Sequence, residues 1–313
     1  MTQAGQTLPE GFEDAPPGLW ETQVRPALGE LEAERKQVIR RCFIAGGVIF
    51  GAAAIISLLL ALYGDPDLII FAFILAAVLT VGGGAAMLQG IHKKAKQALL
   101  HPVITALGYS HQEKGFEPVG FEDCRRYSLL PGHDRRDFED WIEGEHDGAR
   151  FQFYEAHLEE KRKSDKKTYY VTVFRGVIGR VQHQSSALGE TVFARDGGLF
   201  DGFSAPRGMD RAGMGENKFE KIFTVWTTDQ VEARYLLPPN VMEHLAAMEA
   251  RFGGKKLRGA IAGGWLYFLI DTKNLFEPGS MFKPMDDPER FESLMSEIGS
   301  VRNVIKALRE VRP

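Results

Sequence analysis

Cys42-Phe-Ile-Ala-Gly-Gly-Val-Ile-Phe-Gly-Ala-Ala-Ala-Ile-Ile-Ser-Leu-Leu-Leu-Ala-Leu-Tyr63, then Gly64-Asp65-Pro66-Asp67, then Leu68-Ile-Ile-Phe-Ala-Phe-Ile-Leu-Ala-Ala-Val-Leu-Thr-Val-Gly-Gly-Gly-Ala-Ala-Met-Leu-Gln-Gly-Ile91 decide the architecture. The two uncharged runs are 22 and 24 residues long. A helix crossing a hydrocarbon core of about 30 Å needs about 20 residues. Neither run has the polar face of a soluble amphipathic helix, and the Gly and Pro between them stop one helix and start another. The expectation is a transmembrane hairpin over 42–91, with spans 42–63 and 68–91. The first run begins after some 40 mostly polar residues, so a cleaved leader does not fit.

Charge flanks the hairpin asymmetrically. Arg35, Lys36, Arg40 and Arg41 precede it, His92, Lys93, Lys94 and Lys96 follow it, and the connecting turn carries only Asp65 and Asp67. Basic residues stay on the cytoplasmic side, so both termini are expected there, with Arg40, Arg41, Lys93 and Lys94 setting the topology. Neither span contains Lys, Arg, Glu or His, which argues against ion conduction or transport through them. Gly47 and Gly51, and Gly82, Ala86 and Gly90, place small residues on one helical face, a pattern that lets helices approach closely. The first expectation is packing of the two helices on each other, and the second is self-association of neighbouring copies.

Outside the hairpin, residues 1–18 read as a disordered tail rich in Pro, Gly and acidic groups. Residues 19–41 read as a juxtamembrane helix in which Trp20, Val24, Leu28 and Leu31 share one face and Trp20 meets the membrane interface. Residues 92–313 carry 33 basic and 33 acidic groups. So balanced a domain lacks the basic field that nucleic acid requires, and no nucleic-acid partner is expected. Cys42 and Cys124 are the two cysteines, too isolated for a disulfide framework or a zinc site and consistent with a reducing compartment.

In that domain, Lys93–Tyr109 reads as helix, with Pro102 starting or kinking a segment. Segments 138–145, 150–160, 167–178, 190–195, 219–227, 256–262 and 264–271 are rich in β-branched and aromatic residues and read as strands. Lys161–Lys167 reads as a long hairpin loop. A helix capped by Asn240 runs to Phe252, and a final helix over 288–309 lines up Phe291, Leu294, Ile298, Val301, Ile305 and Leu308. The fold class is α+β: a mainly antiparallel sheet with helices packed on one side, following the transmembrane hairpin.

The segments Glu139-Asp140-Trp-Ile142-x-Gly144, Phe153-Tyr-Glu155-Ala156-His157, Val173-Phe174-Arg175-Gly176 and Thr228-Asp229-x-x-Glu232-Ala233-Arg234-Tyr235-Leu236-Leu237 resemble the bacterial family called domain of unknown function 3137, over roughly residues 110–280. The resemblance implies an apolar hairpin ahead of the domain and a bacterial inner membrane. It brings no catalytic residues.

The chemical candidates are few. Asp140, Glu155 and His157 lie on adjacent strands within reach of one another, but the neighbouring carboxylates alternate between faces and His146 to His157 matches no ligand spacing, so no metal or other cofactor is expected. Gly213-x-Gly215-x-x-Lys218 lacks the spacing of a phosphate loop, and Phe203–Asn217 reads as a mobile loop that either links strands or covers a site. Asp229, Glu232 and Arg234 suit a structural ion network. The leading expectation is a non-enzymatic, membrane-tethered module binding a protein or small ligand. The alternative is an enzyme using Asp140, Glu155 and His157. A further partner is the lipid surface, through Lys93, Lys94 and Lys96.

Overall fold

The computed structural model describes residues 18–64, 67–164, 167–183, 188–195, 206–214, 222–272 and 276–310. The 1–18 tail, except Gly18, lies outside the described residues, as do Gly215 and Lys218. The chain folds as two compact units, one of Pro16–Val103 with Glu277–Glu292, the other including Ile104–Phe276 and Ser293–Pro313.

The first unit is built on two long helices, α1 (Arg25–Tyr63), entered through a π-helical turn at Trp20–Val24, and α2 (Asp67–Ala106). The juxtamembrane helix and the first apolar run are therefore one continuous helix. Pro102 sits inside α2 without ending it, since its fixed φ suits a helix and only one N–H is lost. Both helices are long and apolar enough to cross a membrane. Their apolar side chains point outward: Phe43 is 72% exposed, Val81 71% and Ile70 68%.

The seam between α1 and α2 runs beside, and not through, the small residues singled out in the sequence. A Cβ on Gly46 would sit 3.0 Å from Thr80 Cγ2, one on Gly84 would face Cys42, and Ala53, Ser57 and Ala76 are buried. Gly47, Gly51, Gly82 and Gly90 look into open space, and Ala86 is exposed. The first reading of those residues, as the packing surface of the pair, is thus corrected. Spacing of four marks a stripe of small residues but not which neighbouring stripe faces the partner helix.

At the charged end of the pair, the distant segment 277–292 is fastened to the helices. Arg35 is buried; its Nε and Nη2 donate to the Glu32 carboxylate at 2.8 Å each and its Nη1 donates to the Met281 carbonyl at 2.8 Å. Glu32 also accepts the Met285 N–H at 3.0 Å. Buried Arg290 gathers the carbonyls of Ser280, Lys283 and Pro284, and Glu277 pairs with His92 at 2.9 Å. Trp20 packs on Phe291 with ring centroids 5.6 Å apart and is buried, so its amphipathic contact is with this segment and not with a membrane interface. Lys94 pairs with Glu34 at 2.7 Å.

The second unit is an antiparallel sheet of nine strands among the described residues: β1 (Ser110–Gln112), β2 (Arg135–His146), β3 (Ala149–Ser164), β4 (Lys167–Gln182), β5 (Thr191–Arg195), β6 (Asp210–Arg211), β7 (Phe223–Thr227), β8 (Lys255–Ala262) and β9 (Trp265–Asp271). Their spatial order is β1-β2-β3-β4-β9-β8-β5-β7-β6. The α+β class and its antiparallel sheet are as the sequence reads. β6 falls inside the segment expected to be a loop.

Both faces of the centre are covered, which is why Leu266-Tyr-Phe-Leu-Ile270 is a continuous apolar run instead of an alternating one. One face carries Tyr154, Leu158, Phe174, Ile178, Leu269 and Ala260 under α3 (Phe121–Arg126) and Leu129. The other carries Phe151, Phe153, Val177, Phe268, Ile270 and Phe193, all buried, with α5 (Pro239–Arg251) packed against β8. Helices are therefore not confined to one side as the sequence reading had them. α6 (Pro288–Glu310) buries all six of its predicted apolar residues.

Two local expectations change. The β3–β4 ladder continues to Ser164↔Lys167, so the lysine-rich stretch is a two-stranded arm and not a loop. α5 begins at Pro239, one residue before the supposed cap Asn240, and is preceded by α4 (Gln230–Leu236). Asp229 caps α4, accepting the N–H groups of Val231 at 2.8 Å and Glu232 at 3.0 Å. Glu232 accepts from Gly189 N–H at 2.7 Å, and Arg234 donates to the Gly213 carbonyl at 2.8 Å. Among the described residues, these three bond backbone and no ion pair joins them to one another.

Candidate functional site

The three acid–base candidates separate. β2 bulges between Glu139 and Ile142, and Asp140 takes a left-handed φ of 54° there. Its buried carboxylate lies 3.1 Å from His111 Nε2, and its N–H donates to the Glu113 carbonyl at 2.9 Å. Both contacts fasten the edge strand β1 to β2, so Asp140 holds the fold together at that edge. A bulge re-aims one side chain without disturbing the ladder on either side.

Glu155 and His157 do share a site. Across β2, β3 and β4, Asp137, His157 and Arg175 stand directly opposite one another, as do Glu139 and Glu155 one rung on. These side chains line a cleft of about 60 Å³. His157 Nε2 lies 2.8 Å from Thr172 Oγ1. Like charges opposite each other destabilise a ladder, and Lys114 answers them, 2.7 Å from Glu139 and 3.7 Å from Asp137. Its hydrogen bond to Glu139 holds the ammonium pKa above its usual value. The bulge explains the crowding: it sets Glu139 opposite Glu155 on the same face as the Ile142–Phe153 pair. Among the described residues no three His, Cys, Asp or Glu side chains form a metal-holding group. The cleft can carry charge and hydrogen bonds, and the hydroxyl beside its histidine is that of Thr172.

A larger concavity, about 230 Å³, lies where the Ser128–Pro131 turn meets β8 and the ends of β5 and β9. Its walls include Leu129, Val173, Ala194 and Leu257, and its charged groups are Arg195, Lys256, Arg258 and Asp271. β8 bulges between Lys255 and Arg258, with Lys256 at φ 56°, and Ser128 across the cavity is at φ 58°. Left-handed conformations of non-glycine residues are costly and persist only where the surroundings impose them.

The arginines are held from behind. Arg258 Nε donates to the Leu129 carbonyl at 2.5 Å, and its Nη1 donates to Asp271 at 2.8 Å and to the Lys256 carbonyl at 3.0 Å. Arg195 Nε donates to Glu249 at 2.5 Å, while the other oxygen of that buried carboxylate accepts the Leu257 N–H at 2.7 Å. Cys124 is on the buried side of α3, and burial pushes its thiol pKa up, so it stays protonated and unreactive. Arg195, Lys256 and Arg258 were not singled out in the sequence, because the segments forming this cavity are up to about 140 residues apart. The one local signal was Gly253-Gly254-Lys255-Lys256, a turn entering a strand with paired cations.

Residues 172–310 match the model of a family described as a protein of unknown function (DUF3137). This bears out the resemblance drawn from the sequence; Val173–Gly176 and Thr228–Leu237 lie inside the match, and the motifs over 139–157 lie before it. Among solved structures, the chain is similar to the crystal structure of the mycobacterial trehalose monomycolate transport factor A, TtfA, at 9% identity, covering 70% of this chain and 95% of that one with a TM-score of 0.37. A likeness that slight bears on neither fold nor function. No curated protein matches the chain.

Proposed function

We propose that this chain is anchored in the bacterial inner membrane by α1 and α2, with spans over 42–63 and 68–91 and both termini in the cytoplasm, and that its sheet domain is a module that binds a protein or small ligand without transforming it. One observation carries the reading: the apolar side chains of both helices, from Phe43 to Val81, face outward with no part of the described chain covering them. Lipid covers such a surface without the solvation penalty that water imposes. The basic groups Arg40, Arg41, Lys93 and Lys94 at one end support the orientation.

The open faces of Gly47 and Gly51 and of Gly82, Ala86 and Gly90 suit a second copy or another membrane protein, since close helix approach in lipid relies on small residues. The enzymatic alternative is favoured by the placement of Glu155 and His157 in one cleft with Arg175. Complementation of a deletion strain decides between the two. Full rescue by both Glu155→Gln and His157→Asn is expected for a binding module, whereas loss of rescue by a variant that still folds and reaches the membrane would overturn the non-catalytic reading.

A further inference from the structure

Independently of the reading above, we propose that the arm formed by the ends of β3 and β4 pairs with the arm of a second copy of this chain, antiparallel, along the Thr168–Thr172 edge of β4. The sheet ends unevenly there. β3 lies along β4 from Lys167 onward, but β9 takes up the other edge of β4 only at Gly176. Thr272 N–H donates to the Arg175 carbonyl at 3.0 Å, and from Lys167 to Phe174 that edge makes no backbone hydrogen bond to another segment among the described residues. β2 ends at Arg135, opposite Glu159. The rungs from Glu160↔Val171 to Ser164↔Lys167 therefore stand beyond both neighbouring strands. A ribbon of two strands is marginal in water, and pairing with a second ribbon makes it one of four.

The two edges of the arm are guarded differently. Lys161, Arg162 and Lys163 line the β3 edge, the kind of charge that blocks pairing with another strand. On β4, Thr168–Phe174 is free of charge, Gly and Pro, and is rich in β-branched and aromatic residues. Tyr169 is 48% exposed, one of the few large apolar side chains of the sheet domain that are.

The sequence itself selects a second copy as the occupant. In a two-fold antiparallel pair, facing residues point to the same side of the sheet, so their numbers share parity and one residue faces itself. Centred on Tyr170, that register sets Thr168 against Thr172, Tyr169 against Val171 and Tyr170 against its own copy. Each is a kind of cross-strand pair that stabilises a ladder. No two charges oppose each other across it. On one face, Tyr169 and Val171 of both copies form a single apolar patch, flanked by the Arg162–Glu160 ion pair at 3.0 Å. On the other, Arg135 lies 3.3 Å over the Tyr170 ring and holds it in place. The register shift after Leu158 leaves Val173 as an extra residue, which ends the regular stretch just past Thr172.

The test is disulfide formation in native membranes, using the full chain with Cys42→Ala so that buried Cys124 is the remaining native thiol. Under copper phenanthroline, Tyr170→Cys is expected to give a covalent dimer, since self-facing residues have Cα atoms about 4.5–5.5 Å apart. Thr168→Cys or Thr172→Cys alone is expected to give at least about tenfold less, because like residues then lie about 14 Å apart along the strands. The two expressed together are expected to crosslink. A measurement free of variants accompanies these: in the detergent-solubilised wild-type chain, amides within 168–172 are expected to exchange at least about tenfold faster after dilution separates the copies. Equal yields at 168, 170 and 172, or no dimer from Tyr170→Cys, would overturn the proposal. So would exchange at 168–172 that does not change with dilution, the mark of an edge left open or covered by the chain's own residues.

Discussion

At Gly176 a Cβ would run into the carbonyl oxygen of Ile270 on the neighbouring strand. Backbone cannot yield as a flexible side chain does, so the glycine of Val173-Phe174-Arg175-Gly176 is required by close approach of β4 and β9. Gly176→Ala is expected to destabilise the chain by roughly 2–4 kcal/mol, read as a fall in the thermal midpoint of the detergent-solubilised protein. Asp229 makes a smaller contribution of a different kind: it satisfies two orphan N–H groups at the start of α4. Asp229→Ala is expected to cost about 1 kcal/mol, and Asp229→Ser much less, in the same assay. Both residues belong to stretches that are recognisable in sequence, and in both the reason is geometric and not chemical.

The segment 277–292 is a strap whose attachment depends on a carboxylate. Hydrogen bonding from Arg35 holds the Glu32 pKa down to about 2, helped by the Met285 N–H and opposed by burial. A carboxylate with a depressed folded pKa contributes stability above its unfolded value, about 4.3, and loses that contribution as pH falls toward 2. Up to about 3 kcal/mol is at stake. Urea unfolding of the wild-type chain is expected to weaken between pH 5 and pH 3, and Glu32→Gln is expected to flatten that dependence; an unaltered slope in the variant would place the acid sensitivity elsewhere.

The strands of the sheet were legible because β-branched and aromatic residues occupy positions buried on one or both faces. The arm formed by the ends of β3 and β4 was not, because a two-stranded ribbon exposed on both sides needs no apolar alternation, and Lys161-Arg-Lys-Ser164 reads as loop. α4 escaped for a subtler reason. Its seven residues are too few to show a helical period, although Asp229-x-x-Glu232 is a helix-start signature. Among the site candidates, the pairing of Glu155 with His157 followed from alternation along one strand, while the departure of Asp140 followed from a bulge that no local pattern announced. The basic cavity was hidden entirely by the distance in sequence between its walls.

On the scale of the whole molecule, one unit presents two apolar helices and a strap fastened by buried arginines, and the other is a sheet domain covered on both faces with two charged concavities. The central claim is that the first unit spans the inner membrane twice and leaves both termini in the cytoplasm. Protease accessibility in carbonate-washed membranes tests it most directly, comparing right-side-out spheroplasts with inside-out vesicles and detecting tags at both termini. The account predicts that the chain stays with the membrane through the carbonate wash, that both tags survive in spheroplasts, and that both are lost in inside-out vesicles. Release by carbonate, or digestion of either terminus from the outer side, would contradict it.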